Sequence, residues 1–155
     1  MKIAMYAGTF DPPTLAHLDI IERASKLCDS LLVCVAVNFL KTQHLISLPE
    51  RLELLTDVVK PFDNVKIVST NLLLIDFAKK NQVDFLIRGL RSIDQFESEY
   101  IASTANRALS DIDTLFLMSR PEFRHINSCL VREIYNFGGR IDHLVPARIN
   151  DHLEP

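Results

Sequence analysis

Two kinds of apolar pattern alternate along the chain. Lys2 to Ala7 and Ser30 to Val37 are short, nearly continuous apolar runs, the form taken by strands covered on both faces in a parallel sheet. Between them, Leu15 to Leu27 repeats its apolar residues at helical spacing, so this stretch predicts a βαβ unit. Ser47-Leu-Pro-Glu50 has the serine and glutamate of a capping box and opens a helix to about Val59. A strand from Asn64 to Val68, a helix from about Leu74 to Asn81 and a strand from Asp84 to Ile87 follow. The alternation continues with a helix near Gln95 to Leu109, a strand from Thr114 to Met118, and a helix that begins near Ser128 and stops at Gly138-Gly139. Strands alternating with helices predict a single doubly wound α/β domain over residues 1–155, with a mostly parallel sheet and helices on both faces.

Composition narrows the function more than the fold. At 155 residues, 48% of them hydrophobic and 24% charged, the chain buries one compact core without metal or disulfide staples. The net charge is −3, with Lys and Arg scattered, so the sequence offers no footprint for a nucleic-acid duplex or an anionic membrane. A polyanionic ligand must therefore be met by a few local cations. Cys28, Cys34 and Cys129 are an odd number without CxxC spacing, which argues against a disulfide framework and a protein-held metal, and fits a reducing cytoplasm. The first strand-like run begins at Lys2, leaving no room for a signal peptide, and no apolar segment is long enough to span a bilayer. The expectation is a soluble, cytoplasmic protein.

Doubly wound sheets bind ligands beyond the carboxyl ends of their strands, and four polar segments fall there. In the first, Gly8-Thr-Phe-Asp-Pro12, Thr9 offers a hydroxyl and backbone N–H groups while His17 comes from the first turn of the next helix, so a phosphate fits between them. The plain alternative is a turn, with Thr14 as helix cap and His17 on the surface. Arg88-Gly-Leu-Arg91 sets two guanidiniums at the edge where the sheet opens, suited to phosphate or to surface ion pairs. Lys41 lies just beyond the second strand. His125-Ile-Asn-Ser128 runs into a helix start, where small polar side chains either hold terminal phosphates or simply cap. Cys129 reads as a buried small apolar residue rather than a nucleophile.

At these residues the sequence resembles a known family. Tyr6-Ala-Gly-Thr-Phe-Asp-Pro-Pro-Thr-Leu-Ala-His17 looks like the T/HxGH signature of the nucleotidyltransferase superfamily. With Leu86-Ile-Arg-Gly-Leu-Arg91, Asp94-Gln-Phe-Glu-Ser-Glu99, Asn106-Arg107, Phe116-Leu-Met118 and Ile126-Asn-Ser-Cys-Leu-Val-Arg-Glu133, nearly the whole chain is similar to bacterial phosphopantetheine adenylyltransferases. The resemblance implies a Rossmann-like fold, ATP and 4′-phosphopantetheine as substrates, dephospho-coenzyme A and pyrophosphate as products, Mg²⁺ carried by ATP, and a homohexamer. It implies that Thr9 contacts both substrates, that His17 stabilises the reacting α-phosphate, and that Lys41 and Arg88 hold the acceptor while Leu74 lines its arm. Thr9, His17, Lys41 and Arg91 form the catalytic set. Phe10, Gly89, Leu90, Arg91 and Glu99 fall at ATP positions, as do Phe123, Arg124, His125, Ile126, Asn127, Ser128 and Cys129, with Ser128 near the terminal phosphates.

The chain departs from the family pattern at a few points. The family usually has Pro at the place of Ala7, Asn-Gly at Leu15-Ala16, and Ser-Ser-Ser or Ser-Ser-Thr at Asn127-Ser128-Cys129, and the stretch Leu40 to Ile46 is one residue longer than usual. A methyl group at Ala16 crowds the nucleotide, so weakened ATP affinity is expected rather than lost activity. The alternatives are a related enzyme with another phosphorylated acceptor, and a non-catalytic nucleotide- or coenzyme-A-binding module.

Overall fold

The computed structural model describes residues 1–37 and 43–154. Among these, β1 (Ile3–Gly8), α1 (Leu15–Ser25), β2 (Ser30–Ala36), α2 (Leu48–Val58), β3 (Val65–Thr70), α3 (Leu74–Lys80), β4 (Phe85–Leu90), α4 (Ile93–Ser110) and β5 (Asp113–Met118) alternate along the chain. A 3-10 turn at Pro121–Phe123 then leads to α5 (Ser128–Asn136) and α6 (Ala147–Leu153). The strands form one five-stranded sheet in the order β3-β2-β1-β4-β5, and every pairing is parallel. The chain winds outward from β1 to β3, returns to the centre and winds the other way through β4 and β5. The order therefore reverses between β1 and β4, and the crevice beyond their carboxyl ends is where such a sheet binds ligands.

The apolar runs are continuous because both faces are covered. Along β1, Ala4 and Tyr6 face one layer, with Ile20, Ile21, Val33, Leu55 and Ile87, while Met5 and Ala7 face the other, with Leu32, Cys34, Ile75 and Leu86. A third cluster, including Ala16, Ile46, Leu54, Ile126, Val131, Leu144 and Ile149, ties the start of α1 to α2, α5 and α6. Leu15 N–H donates to the Leu144 carbonyl at 3.0 Å, so the C-terminal segment is joined to the first turn of α1.

Several boundaries differ from the sequence pattern for physical reasons. β4 continues through Arg88 and Gly89 because Arg88 pairs with Phe116 and Leu90 with Met118 of β5, so Arg88 is a strand residue rather than the first residue of a loop. α4 begins earlier than the apolar pattern indicates, where the Ser92 side chain caps it by accepting from Gln95 N–H. α6 spans seven residues, too few to show a period. Cys129 is exposed, which corrects the expectation that it is buried: α5 turns Val131 inward and leaves Cys129 outside. Among the described residues, no helix is long and apolar enough to cross a membrane.

Candidate active site

The first turn of α1 fixes the chemistry of its histidine. Thr14 caps the helix by accepting from His17 N–H, and the Thr14 N–H donates back to Nδ1 of His17 at 3.0 Å. An N–H can only donate, so Nδ1 holds a lone pair and the proton of the neutral ring sits on Nε2. The capping role foreseen for Thr14 is present, whereas the surface placement of His17 is not. The ring is half-buried, 4.9 Å from the Phe10 ring and 6.5 Å from that of Tyr6. Burial, then the charges of Arg91 and Arg88, lower its pKa to about 4. At neutral pH the His17 ring is thus an uncharged donor whose one polar hydrogen is on Nε2.

His17 lines a pocket of about 180 Å³ at the switch point, together with Gly8, Thr14 and Ala16 from β1 and the start of α1, Arg88, Gly89, Arg91, Gln95 and Glu99 from the stretch β4 to α4, and Ser119 and Ile126. Gly89 suits the packing: a Cβ there would lie 3.0 Å from a side-chain carbon of Ile20, so any larger residue needs Ile20 of α1 to shift by a few tenths of an ångström. A second pocket of about 160 Å³ lies alongside, lined by Met5, Leu74, Leu86, Ala102, Ser103, Asn106 and Thr114. Ala7, Arg88 and Glu99 line both pockets. The wall between them is an ion pair. Arg88 donates from Nε and Nη2 to the two carboxylate oxygens of Glu99, each at 2.7 Å, and from Nη1 to the Ala7 carbonyl at 2.7 Å. Both oxygens of Glu99, placed among the ATP residues by resemblance, are engaged by Arg88.

Arg91 is held differently. Its backbone N–H and Nε donate to Oε1 of Gln95, and Nη1 donates to the Ile126 carbonyl at 3.1 Å. It also borders an open groove of about 500 Å³ with Ser92, Gln95, Arg124, His125 and Asn127. Arg124 Nε donates to the Arg91 carbonyl at 3.0 Å, joining the two cations. Asn127 caps α5 by accepting from Leu130 N–H, and the Ser128 hydroxyl donates to the Pro12 carbonyl at 2.8 Å. Ile126 and Leu90 are buried, Phe123 packs in the third cluster, and Cys129 is exposed. Phe10 is 1% exposed, and its ring packs against Tyr6 and His17 in the interior. Thr9 stands half-buried at the end of β1 and lines neither of the two pockets. Lys41 lies outside the described residues.

Sequence reasoning missed the residues that hold these groups. Gln95, four residues after Arg91, orients it; the spacing was visible, but a glutamine in a polar helix start carries no distinctive signal. The buried Asp11 carboxylate accepts from Leu45 N–H at 3.0 Å and Ile46 N–H at 2.9 Å, a long-range contact that local pattern does not contain. Among the described residues, no group of three or more His, Cys, Asp or Glu side chains gathers to hold a metal ion.

A neutral imidazole donor and two fixed guanidiniums share one switch-point pocket, an arrangement chemically able to receive a phosphoryl group. Comparison with known proteins agrees. The cytidylyltransferase-like family model matches residues 5–134. The phosphopantetheine adenylyltransferase of Lachnoclostridium phytofermentans is 46% identical over 150 residues, covering 96% of this chain and 91% of that protein. That of Clostridium perfringens strain 13 is 38% identical over 155 residues, covering 99% and 94%. A protein from Vibrio parahaemolyticus described as a nicotinate-nucleotide adenylyltransferase shares the fold over the full length of both chains, with a TM-score of 0.69 at 17% identity. The chain belongs to the phosphopantetheine adenylyltransferase family, within the cytidylyltransferase-like group.

Proposed function

We propose that this single-domain protein reversibly transfers AMP from ATP to 4′-phosphopantetheine, giving dephospho-coenzyme A and pyrophosphate, the penultimate step of coenzyme A biosynthesis. The observation that carries this reading is the Arg88–Glu99 wall shared by two pockets. One pocket holds the neutral donor His17 and Arg91, as a nucleotide α-phosphate needs; the other is lined largely by apolar residues, including Leu74, as a pantetheine arm needs. An acceptor phosphate at Arg88 lies between them. Thr9 and Lys41 complete the acceptor contacts, and Thr9, Phe10, Gly89, Leu90 and residues 123–129 the ATP contacts, on the family resemblance.

The acceptor oxygen is already an anion, so attack on the α-phosphorus needs no general base. Its bond to phosphorus forms as the bond from the α-phosphorus to the bridging oxygen breaks, and pyrophosphate leaves. His17 donates from Nε2 to the α-phosphate as charge grows there, and Arg91 with Arg124 holds the departing phosphates. The pocket cations Arg88, Arg91 and Arg124 suit phosphate rather than a bare metal, so Mg²⁺ would be carried by ATP and would supply further positive charge to the pyrophosphate.

The enzyme works in the cytoplasm as a homohexamer. Supporting the assembly, α4 buries none of its 18 residues, and its Ile93, Phe96, Tyr100 and Ile101 are exposed, as are Leu115 and Met118 of the edge strand β5. Pyrophosphate release with ATP, Mg²⁺ and a panel of phosphorylated acceptors tests the reaction. Turnover with 4′-phosphopantetheine is expected; turnover with nicotinamide mononucleotide alone would move the protein to a related reaction, and ATP binding without pyrophosphate release would make it a binding module.

A further inference from the structure

Phe10 has φ 51°, in the left-handed region that bulky side chains rarely adopt. Such a conformation persists only where the surroundings over-determine it. Here the contacts bracket it on both sides. The ring is buried against Tyr6, at a centroid distance of 5.6 Å, and against His17. On the C-terminal side, Asp11 is tied by its carboxylate to the backbone of Leu45 and Ile46, and by its carbonyl to Nη1 of Arg132. On the N-terminal side, the Thr9 carbonyl accepts from Nη1 of Arg51 at 2.7 Å.

Arg51 is the least expected of these groups. It lies on α2, outside every polar segment at the strand ends, and is only 2% exposed. Burying a guanidinium is unfavourable unless its donors are paired; here Nη1 is taken by the Thr9 carbonyl while Nε has no partner, so the arginine is not placed there for stability alone. Its contact falls on the peptide that joins Thr9 to Phe10, the link between the strand end and the strained residue.

We propose that Arg51 is a positioning residue for the transfer reaction: by holding the Thr9 carbonyl it fixes the turn that presents Thr9 to the phosphates and presses the Phe10 ring against His17. It touches no substrate. Loosening it frees the turn to relax from the left-handed conformation, and the imidazole loses the ring it packs on. The consequence for catalysis rests on the reading of Thr9 and His17 as phosphate-binding groups.

The test compares Arg51→Met, which keeps volume and removes donor and charge, with Arg51→Lys, which keeps both. The readouts are kcat and KM for each substrate, the melting temperature, and hydrogen–deuterium exchange of a peptide spanning residues 9–11. Arg51→Met is expected to lower kcat at least tenfold, to move each KM less than threefold and to speed exchange in that peptide but not in β2 or β3; Arg51→Lys is expected to recover most of kcat. A folded Arg51→Met with kcat within twofold of the parent and unchanged exchange would overturn the proposal, as would equal loss in both variants. If Arg51→Met does not fold, Arg51→Gln, which is shorter and uncharged, takes its place: a kcat at least tenfold lower with locally faster exchange at residues 9–11 supports positioning, and a kcat within twofold of the parent or parental exchange at residues 9–11 refutes it. If the parent protein fails to release pyrophosphate with any acceptor, the proposed reaction falls, while the exchange arm still judges the hold on the turn.

Discussion

Replacing Glu99 with Gln removes one charge from the wall between the pockets and leaves its shape. In the parent, Glu99 receives two charge-assisted bonds from Arg88 at 2.7 Å, with side chains 34% and 13% exposed. Two effects oppose each other. Losing the carboxylate frees the Arg88 side chain, whose rotamer entropy is about 2 kcal/mol, and turns an amide NH₂ toward guanidinium donors. It also lifts repulsion between Glu99 and the acceptor phosphate, but Arg88 stands beside both with its side chain 34% exposed to solvent, so that gain is on the order of 1 kcal/mol or less. The net is a loss of about 1 to 1.5 kcal/mol in acceptor binding, roughly a tenfold rise in Kd. Calorimetric titration of Glu99→Gln with 4′-phosphopantetheine, and separately with ATP, reads this directly. Tighter acceptor binding would mean that Glu99 competes with the phosphate for Arg88. An unchanged acceptor Kd with weakened ATP binding would return Glu99 to the nucleotide, as the family resemblance has it.

His17→Ala should lower kcat about a hundredfold, on the order of 3 kcal/mol for one transition-state donor, while the ATP Kd changes little; kcat within twofold would take His17 out of the mechanism. Because its folded pKa is about 4, against 6.5 for the free side chain, the unfolded chain binds a proton between these values that the folded chain does not. Stability from this group is therefore present above pH 6.5 and lost as pH falls toward 4, by about 3 kcal/mol at most, and NMR titration should show the His17 ring unprotonated down to about pH 5. Arg88→Ala should weaken the acceptor by roughly 2 to 4 kcal/mol and leave ATP affinity nearly intact, with Arg91→Ala doing the reverse; equal loss of ATP binding in both would make them one triphosphate clamp. Ala16 is buried and lines the pocket beside His17, so Ala16→Gly should lower the ATP Kd a few-fold, and a rise would show that the methyl group does not crowd the nucleotide.

The alternation of strands and helices was legible because the central strands β1 and β2 are covered on both faces and α1 and α2 on one, leaving periods of different kind in the sequence. The position of Arg88 inside β4 was not, because a charge in an apolar run reads as the end of a strand. Its compensation, Glu99, lies eleven residues away on another element. His17 was legible as a ligand-edge residue because a helix start follows a Gly-Thr strand end. Its tautomer was not, since that depends on the Thr14 N–H reaching back to Nδ1. Arg51 was invisible for the opposite reason: it sits in an ordinary amphipathic helix, and nothing local says that its guanidinium turns inward to the Thr9 carbonyl.

The partners of the two arginines carry the division of substrates one step further. Arg88 is paired with a carboxylate, so its charge is largely balanced before any ligand arrives. Arg91 is held by the neutral oxygens of Gln95 and Ile126, which fix its direction without cancelling its charge, and Arg124 sits beside it. On these contacts the Arg91 side of the wall keeps more uncompensated positive charge than the Arg88 side. In the proposed assignment the triphosphate, which carries more negative charge than a phosphomonoester, gains more from that side, whereas the acceptor meets a guanidinium already fixed in direction but tempered in charge. Two anions that must come within bonding distance repel one another. An asymmetric field gives each a preferred seat, and the proposed transfer follows from their meeting at the Arg88–Glu99 wall rather than competing for one cation.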